Sequence, residues 1–174
     1  DDDIVSLSNL QRQVLFNHDD IGLPKAICAA KFLARLNPGC KVTPIDARLT
    51  VDNAQTLIEA HDVIADGCDN FTTRFLVNDA CYFAGKPLVS AAVGRFDGQL
   101  TTFKAYKNDA KGTPYPCYRS FVSDDMRASE AADCETTGII GALTGVMGSL
   151  QALEVIKEIT GAGESLAGRL MIYD

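Results

Sequence analysis

Three short stretches of the chain carry side chains suited to holding an anion. The first is Ser8-Asn9-Leu10-Gln11-Arg12-Gln13, a dense polar run just after a strand end. Ligands of open α/β folds sit where strand ends give way to polar loops at the carboxyl edge of a parallel sheet. The same composition also suits an ordinary solvated loop. The second is Lys25, placed in the first turn of a helix, where the macrodipole disfavours a cation by about 0.3–1 kcal/mol. A phosphate bound at that helix end explains such a lysine, and a well-solvated ammonium is the alternative. The third is Asp66-Gly67-Cys68-Asp69-Asn70, which closes a buried strand and opens a helix. Asp69 or Asn70 suits an N-cap, worth about 1 kcal/mol. Two carboxylates beside a glycine equally suit a Mg²⁺-nucleotide site, because Mg²⁺ takes one or two carboxylates plus phosphate oxygens. No G-x-G-x-x-G occurs; Gly161-Ala162-Gly163 runs on into Glu164, Ser165 and Leu166 and opens no phosphate loop.

Alternating elements must position these residues. The spacing predicts a helix over 24–37, with Pro24 at its first position and Asn37-Pro38-Gly39 as its stop. A short strand is expected over 41–47, a helix near 52–60, and a buried strand over 62–66. A helix over 70–84 places Leu76, Ala80 and Phe83 at helical spacing, and a buried strand follows over 86–93. A turn from Gly94 to Gly98 leads to an exposed strand over 99–106. Residues 107–137 read as a long polar loop, mobile for want of apolar anchors. A long helix over 138–160 and a last strand over 169–173 complete the order. Such alternation indicates a largely parallel sheet with crossover helices. The glycines at 138, 141, 145 and 148 share a helical face, as expected for close backbone packing on a sheet or on a neighbouring subunit's helix.

Composition narrows the class. The chain has 174 residues, one domain's worth, with 47% hydrophobic and 22% charged residues, enough for a packed core. Its net charge of −7 argues against a general nucleic-acid or anionic-membrane binder. The uncharged run 138–153 is shorter than the roughly 20 residues of a membrane span and holds four glycines, so it reads as a buried helix. Six scattered cysteines indicate a reducing compartment, hence a cytoplasmic protein. A start at Asp1-Asp2-Asp3, without Met, gives no signal peptide and suggests that a segment precedes it.

Taken together, these stretches resemble the MoeB/ThiF family, adenylyltransferases that activate ubiquitin-like sulfur carriers. The matching runs are Asp1-Asp2-Asp3 with Val5 and Ser8 to Gln13, Gly22-x-Pro24-Lys25, Asp66 to Asn70, and Pro87-Leu88-Val89-Ser90. Gly98-Gln99, Pro116-Cys117-Tyr118-Arg119 and Gly145 to Ala152 extend the match over the full length. The resemblance implies a Rossmann-like ThiF fold, a largely parallel sheet continuing into antiparallel strands. It further implies an adenylation domain over 1–174, incomplete at both ends and without its glycine-rich nucleotide loop. By the same resemblance Asp1 holds the ATP ribose, while Ser8, Asn9, Arg12 and Lys25 surround the phosphates. Asp69 binds Mg²⁺, and Asn70 beside it is a further nucleotide-binding residue. The implied partner is a ubiquitin-like sulfur carrier of molybdopterin or thiamine biosynthesis, and the implied assembly is a homodimer.

Two features depart from or extend that pattern. The family's zinc site uses two C-x-x-C pairs, whereas Cys117-Tyr118-Arg119-Ser120 keeps one cysteine of the first and the second has no counterpart, so no zinc is expected. Cys134 matches the family's loop cysteine. Its neighbours Asp133 and Glu135 favour the neutral thiol, which weighs toward a non-essential cysteine rather than a nucleophile. A redox enzyme on a similar fold is the rival reading, disfavoured because no hydride-transfer constellation is present. A non-catalytic binding module is another.

Overall fold

The computed structural model describes residues 1–122 and 138–174. The chain divides into two compact units, Asp1–Leu49 and Thr50–Asp174.

In the first unit, buried Val5 exchanges backbone hydrogen bonds with the segment ahead of the first helix. Its N–H donates to the Leu23 carbonyl at 2.9 Å and its carbonyl accepts from Gly22 at 2.8 Å. Gly22 sits at φ +84°, a conformation glycine adopts without a Cβ penalty. Two 3-10 turns, Leu7–Asn9 and His18–Asp20, shape the intervening loop. Helix α1, Lys25–Leu36, begins one residue later than the spacing predicts, with Pro24 as its N-cap. It ends where the Asn37 side chain accepts the Gly39 N–H at 3.0 Å. The strand expected over 41–47 is not formed. A short strand-like run supplies no ladder partner, and Pro44 also removes one donor.

The second unit opens with α2, Val51–Glu59, where the Thr50 N–H donates to Asn53 Oδ1 at 2.9 Å. There follow β1 Ile64–Asp66, α3 Phe71–Ala84, β2 Leu88–Val93 and β3 Gly98–Phe103. The short α4 Tyr118–Phe121, the long α5 Gly141–Thr160 and β4 Leu170–Tyr173 complete it. Gly85, at φ +65°, stops α3. The sheet runs β1-β2-β3-β4, parallel between β1 and β2 and antiparallel thereafter. Parallel pairing therefore gives way to antiparallel pairing, as expected. The first pairing is the parallel one, and it carries α3 as its crossover.

Side chains alternate across the sheet. Val89, Ala91 and Leu100 face α5 and pack with its Leu143 and Met147. Leu88 and Phe103 are buried as well, and Phe103 meets Tyr118, which packs edge-on against Phe75 of α3 at 5.1 Å. Each fully buried apolar side chain contributes about 1.5–3 kcal/mol.

Three expectations change. Strand β3 is buried rather than exposed, because α5 contacts it and Tyr118 meets Phe103. Over 107–122 the polar loop is anchored, with Tyr118 and Val122 in the core; the rest of the expected loop, with Cys134, lies outside the described residues. Finally, a Cβ on Gly145 or Gly148 meets nothing within 4 Å, so neither packs closely on the sheet. The close approach is at Gly98, where a Cβ would run into the Met147 side chain, 2.6 Å from its Cγ.

Candidate nucleotide and metal site

In the first unit the polar run is organised by its own backbone. Asn9 is buried and its Oδ1 accepts the Ser6 N–H at 3.0 Å, pinning the 3-10 turn. Ser8 is exposed and its hydroxyl lies 2.9 Å from that of Ser6. Arg12 is half-buried, and its Nη1 donates to the Ser8 carbonyl at 3.0 Å. The run is thus a folded turn that presents Ser8 with a guanidinium at its back.

Lys25 resolves its own dipole problem locally. Its ammonium pairs with the Asp3 carboxylate, and its N–H donates to the Asp3 carbonyl at 2.9 Å. The Lys25 hydrogen bond holds the Asp3 carboxyl below its ordinary range, against an upward push from burial. Asp1 is exposed and accepts the Asp3 N–H at 3.0 Å. Asp1, Asp3 and Lys25 therefore form one linked set, and Asp3 is a member that the sequence reading left out.

In the second unit, Asp66 and Asp69 prove unequal. Asp66 is 3% exposed and fully engaged. Its Oδ1 accepts the Cys68 N–H at 2.8 Å, and its Oδ2 accepts from Ser90 Oγ at 3.2 Å and Arg74 Nη1 at 3.3 Å. Asp69 is exposed, touched by the Asn70 amide at 3.4 Å, with no ion pair among the described residues. Asn70 caps α3, accepting the Thr73 N–H at 2.8 Å. The open choice between cap and ligand thus divides: Asn70 is the cap, and Asp69 is left to face solvent.

That division also decides which carboxylate suits a metal. Among the described residues no group of three or more His, Cys, Asp or Glu side chains converges. One exposed carboxylate at a strand end is the donor set expected for Mg²⁺ shared with phosphate oxygens, since Mg²⁺ keeps most of its shell for water and phosphate. Cys68, between the two, has its thiol pushed up to about 12 by burial and the adjacent Asp66 charge, so it stays neutral. Cys117 and Ser120 face each other, Sγ to Oγ, at 3.6 Å.

The sequence reading missed Arg74. Its signal was the lone basic residue of α3, one turn past the cap. Gln151 of α5 was quoted within a matching run but assigned no role. Its Nε2 donates to the carbonyls of Asp66 at 2.8 Å and Val89 at 3.0 Å, joining the last residue of β1 to the first half of β2.

The pattern of the ThiF family matches residues 1–174. The chain belongs to the ThiF family. Its relatives include a SAMP-activating enzyme E1 of Haloferax volcanii, 44% identical over the whole chain, which spans 62% of that protein. The sulfur carrier protein adenylyltransferase of Thermus thermophilus is 42% identical over 99% of the chain, which spans 63% of it. The adenylyltransferase and sulfurtransferase MOCS3 of Xenopus laevis is 40% identical over the whole chain, which spans 37% of that protein. The chain therefore covers less than two thirds of each. Among solved structures, E. coli MccB with ATP superposes with a TM-score of 0.72 at 23% identity, covering 95% of this chain and 48% of that one. PaaA superposes with 0.76 at 19% identity, covering 99% and 51%. These two establish the shared ThiF fold.

Proposed function

We propose that the protein carrying this ThiF domain adenylates the C-terminal glycine carboxylate of a ubiquitin-like sulfur carrier and releases pyrophosphate. What carries the reading is Asp69, an exposed carboxylate in the loop that follows the parallel strand β1, within a chain whose relatives are named as sulfur-carrier adenylyltransferases. A carboxylate oxygen of the carrier attacks the α-phosphorus of ATP. The bond from that phosphorus to the bridging oxygen breaks, and the electron pair leaves with pyrophosphate. No general base is needed, because the nucleophile is already ionised. Asp69 would hold Mg²⁺, which when bound would supply neutralisation of phosphate charge. Arg12 and Lys25 stabilise the charge spreading over the α-phosphate, Ser8 and Asn9 line the phosphates, and Asp1 holds the ribose. Lys25 then exchanges its Asp3 partner for phosphate.

Molybdopterin biosynthesis is the pathway we favour, supported by relatives named MOCS3 and molybdopterin-synthase adenylyltransferase, with thiamine biosynthesis as the alternative. We further propose a homodimer in the cytoplasm. Val146, Leu153 and Ile156 leave an exposed apolar stripe on α5 beside the open Gly145, a surface a second copy would cover. Carrier-dependent exchange of labelled pyrophosphate into ATP tests the activity. Exchange with a molybdopterin-type carrier supports the reading, and ATP binding without exchange on any carrier favours a non-catalytic module.

A further inference from the structure

We propose that Asp66, Arg74 and Ser90 form a positioning unit that sets the Asp69 carboxylate for metal-bound ATP. The inference rests on the assignment of Asp69 as the Mg²⁺ ligand and extends it to residues that never touch the metal.

The unit is buried, with Asp66, Arg74 and Ser90 exposed by 3%, 9% and 5%. It joins three elements at one point. Asp66 ends β1 and pairs in register with Ser90 of β2, while Arg74 comes from the first turns of α3. Besides its bond to Asp66, Arg74 reaches Ser90 Oγ at 3.4 Å and donates through Nη2 to the Ala91 carbonyl at 3.1 Å. The fork thus ties α3 to β2 while Asp66 Oδ1 folds the next residues back through the Cys68 N–H. Asp69 is carried between those two fixed points, the turn at Cys68 and the Asn70 cap of α3.

Burial makes stability a poor reason for this arrangement. A buried ion pair contributes little against well-packed apolar residues of the same size, because desolvation offsets the attraction. Its gain is geometric, since each partner accepts only one arrangement of the others. Among the described residues the exposed Asp69 side chain is held by one long contact to Asn70 and has no comparable support. Supporting side chains behind a metal ligand characteristically tune metal affinity by 10–100-fold.

The test uses the full-length protein with Mn²⁺ as the probe for Mg²⁺. Its affinity for the protein–ATP complex is read from the free Mn²⁺ resonance signal, alongside metal-free ATP affinity and the melting temperature. Ser90→Ala should weaken Mn²⁺ by about tenfold with metal-free ATP affinity unchanged, and Ser90→Thr, which keeps the hydroxyl, should restore it. Arg74→Lys, which keeps charge and loses the fork, should weaken Mn²⁺ similarly and serves if Ser90→Ala does not fold. Variants that lower the melting temperature yet keep wild-type Mn²⁺ affinity overturn the proposal and leave the unit purely structural. Asp69→Ala separates the two layers. If it retains Mn²⁺ affinity, the metal assignment itself is wrong; if it loses affinity while the Ser90 and Arg74 variants do not, only the positioning role fails.

Discussion

Two aspartates in one five-residue motif have opposite fates. Asp66 satisfies its oxygens inside the fold, whereas Asp69 turns its carboxylate to solvent. Asp69→Ala should therefore abolish Mg²⁺-dependent pyrophosphate exchange while changing stability by no more than about 0.5 kcal/mol, as an exposed site does. Steady-state exchange and urea unfolding on the same preparation check both halves. Arg12→Ala and Lys25→Ala should lower exchange nearly as far. Removing Lys25 also leaves Asp3 unpaired, so that variant should additionally raise the Asp3 carboxyl toward its ordinary range, readable by NMR titration.

At the scale of elements, α5 does two jobs. Its Leu143 and Met147 fill the core, and its Glu154, 1% exposed, gathers the chain that follows. Glu154 accepts from Thr102 Oγ1 at 2.9 Å and from the Leu166 N–H at 2.6 Å, and pairs with Lys157. Burial pushes its carboxyl up, but the Leu166 N–H, Lys157 and Thr102 outweigh it, and the net position is below the ordinary range. A depressed folded-state pKa contributes stability that is fully present above the unfolded value and lost as pH falls through the folded one. Glu154→Gln should therefore destabilise at neutral pH, with the deficit shrinking as acid protonates the wild type. Glu154→Ala should cost about 2–5 kcal/mol, since it leaves the Thr102 hydroxyl and the Leu166 N–H without their acceptor, while Lys157 keeps the Glu164 carbonyl at 2.7 Å. Denaturant midpoints across pH check this. On α3, Asn70→Ala should cost about 1 kcal/mol through the lost cap.

For the whole molecule, no helix among the described residues is long and apolar enough to cross a membrane. If α5 carries the homodimer contact, Ile156→Asp should shift the full-length protein toward monomer in sedimentation equilibrium and leave the melting temperature of the monomer unchanged. Persistence of the wild-type dimer would move the contact elsewhere. Elemental analysis of this chain should find no stoichiometric zinc, because Ser120 stands where a closed site needs a fourth thiolate or imidazole. Cys134→Ser in the full-length protein should leave adenylation and sulfur transfer intact. Loss of a trapped carrier adduct in that variant would make the cysteine a nucleophile.

The helices and the order of strands were legible in the sequence because they rest on local rules. Pro24 at the head of α1 and a cap at Asp69 or Asn70 act through backbone groups a few residues away, so spacing alone predicts them, although the structure was needed to choose Asn70. The run Ser8 to Gln13 and the Asp66 to Asn70 motif likewise stood out in the sequence as the stretches to which the proposed ligand chemistry is assigned. What spacing does not carry is partnership at a distance. The segment 41–47 read as a short strand, but pairing is a property of two segments, and no strand is formed there. Burial of β3 needed α5 and Tyr118, which come later in the chain. Above all, the split between Asp66 and Asp69 was decided by Arg74 and Ser90, brought to Asp66 across 8 and 24 residues. Identical carboxylates are engaged or left open by what surrounds them, and only the tertiary structure supplies the surroundings.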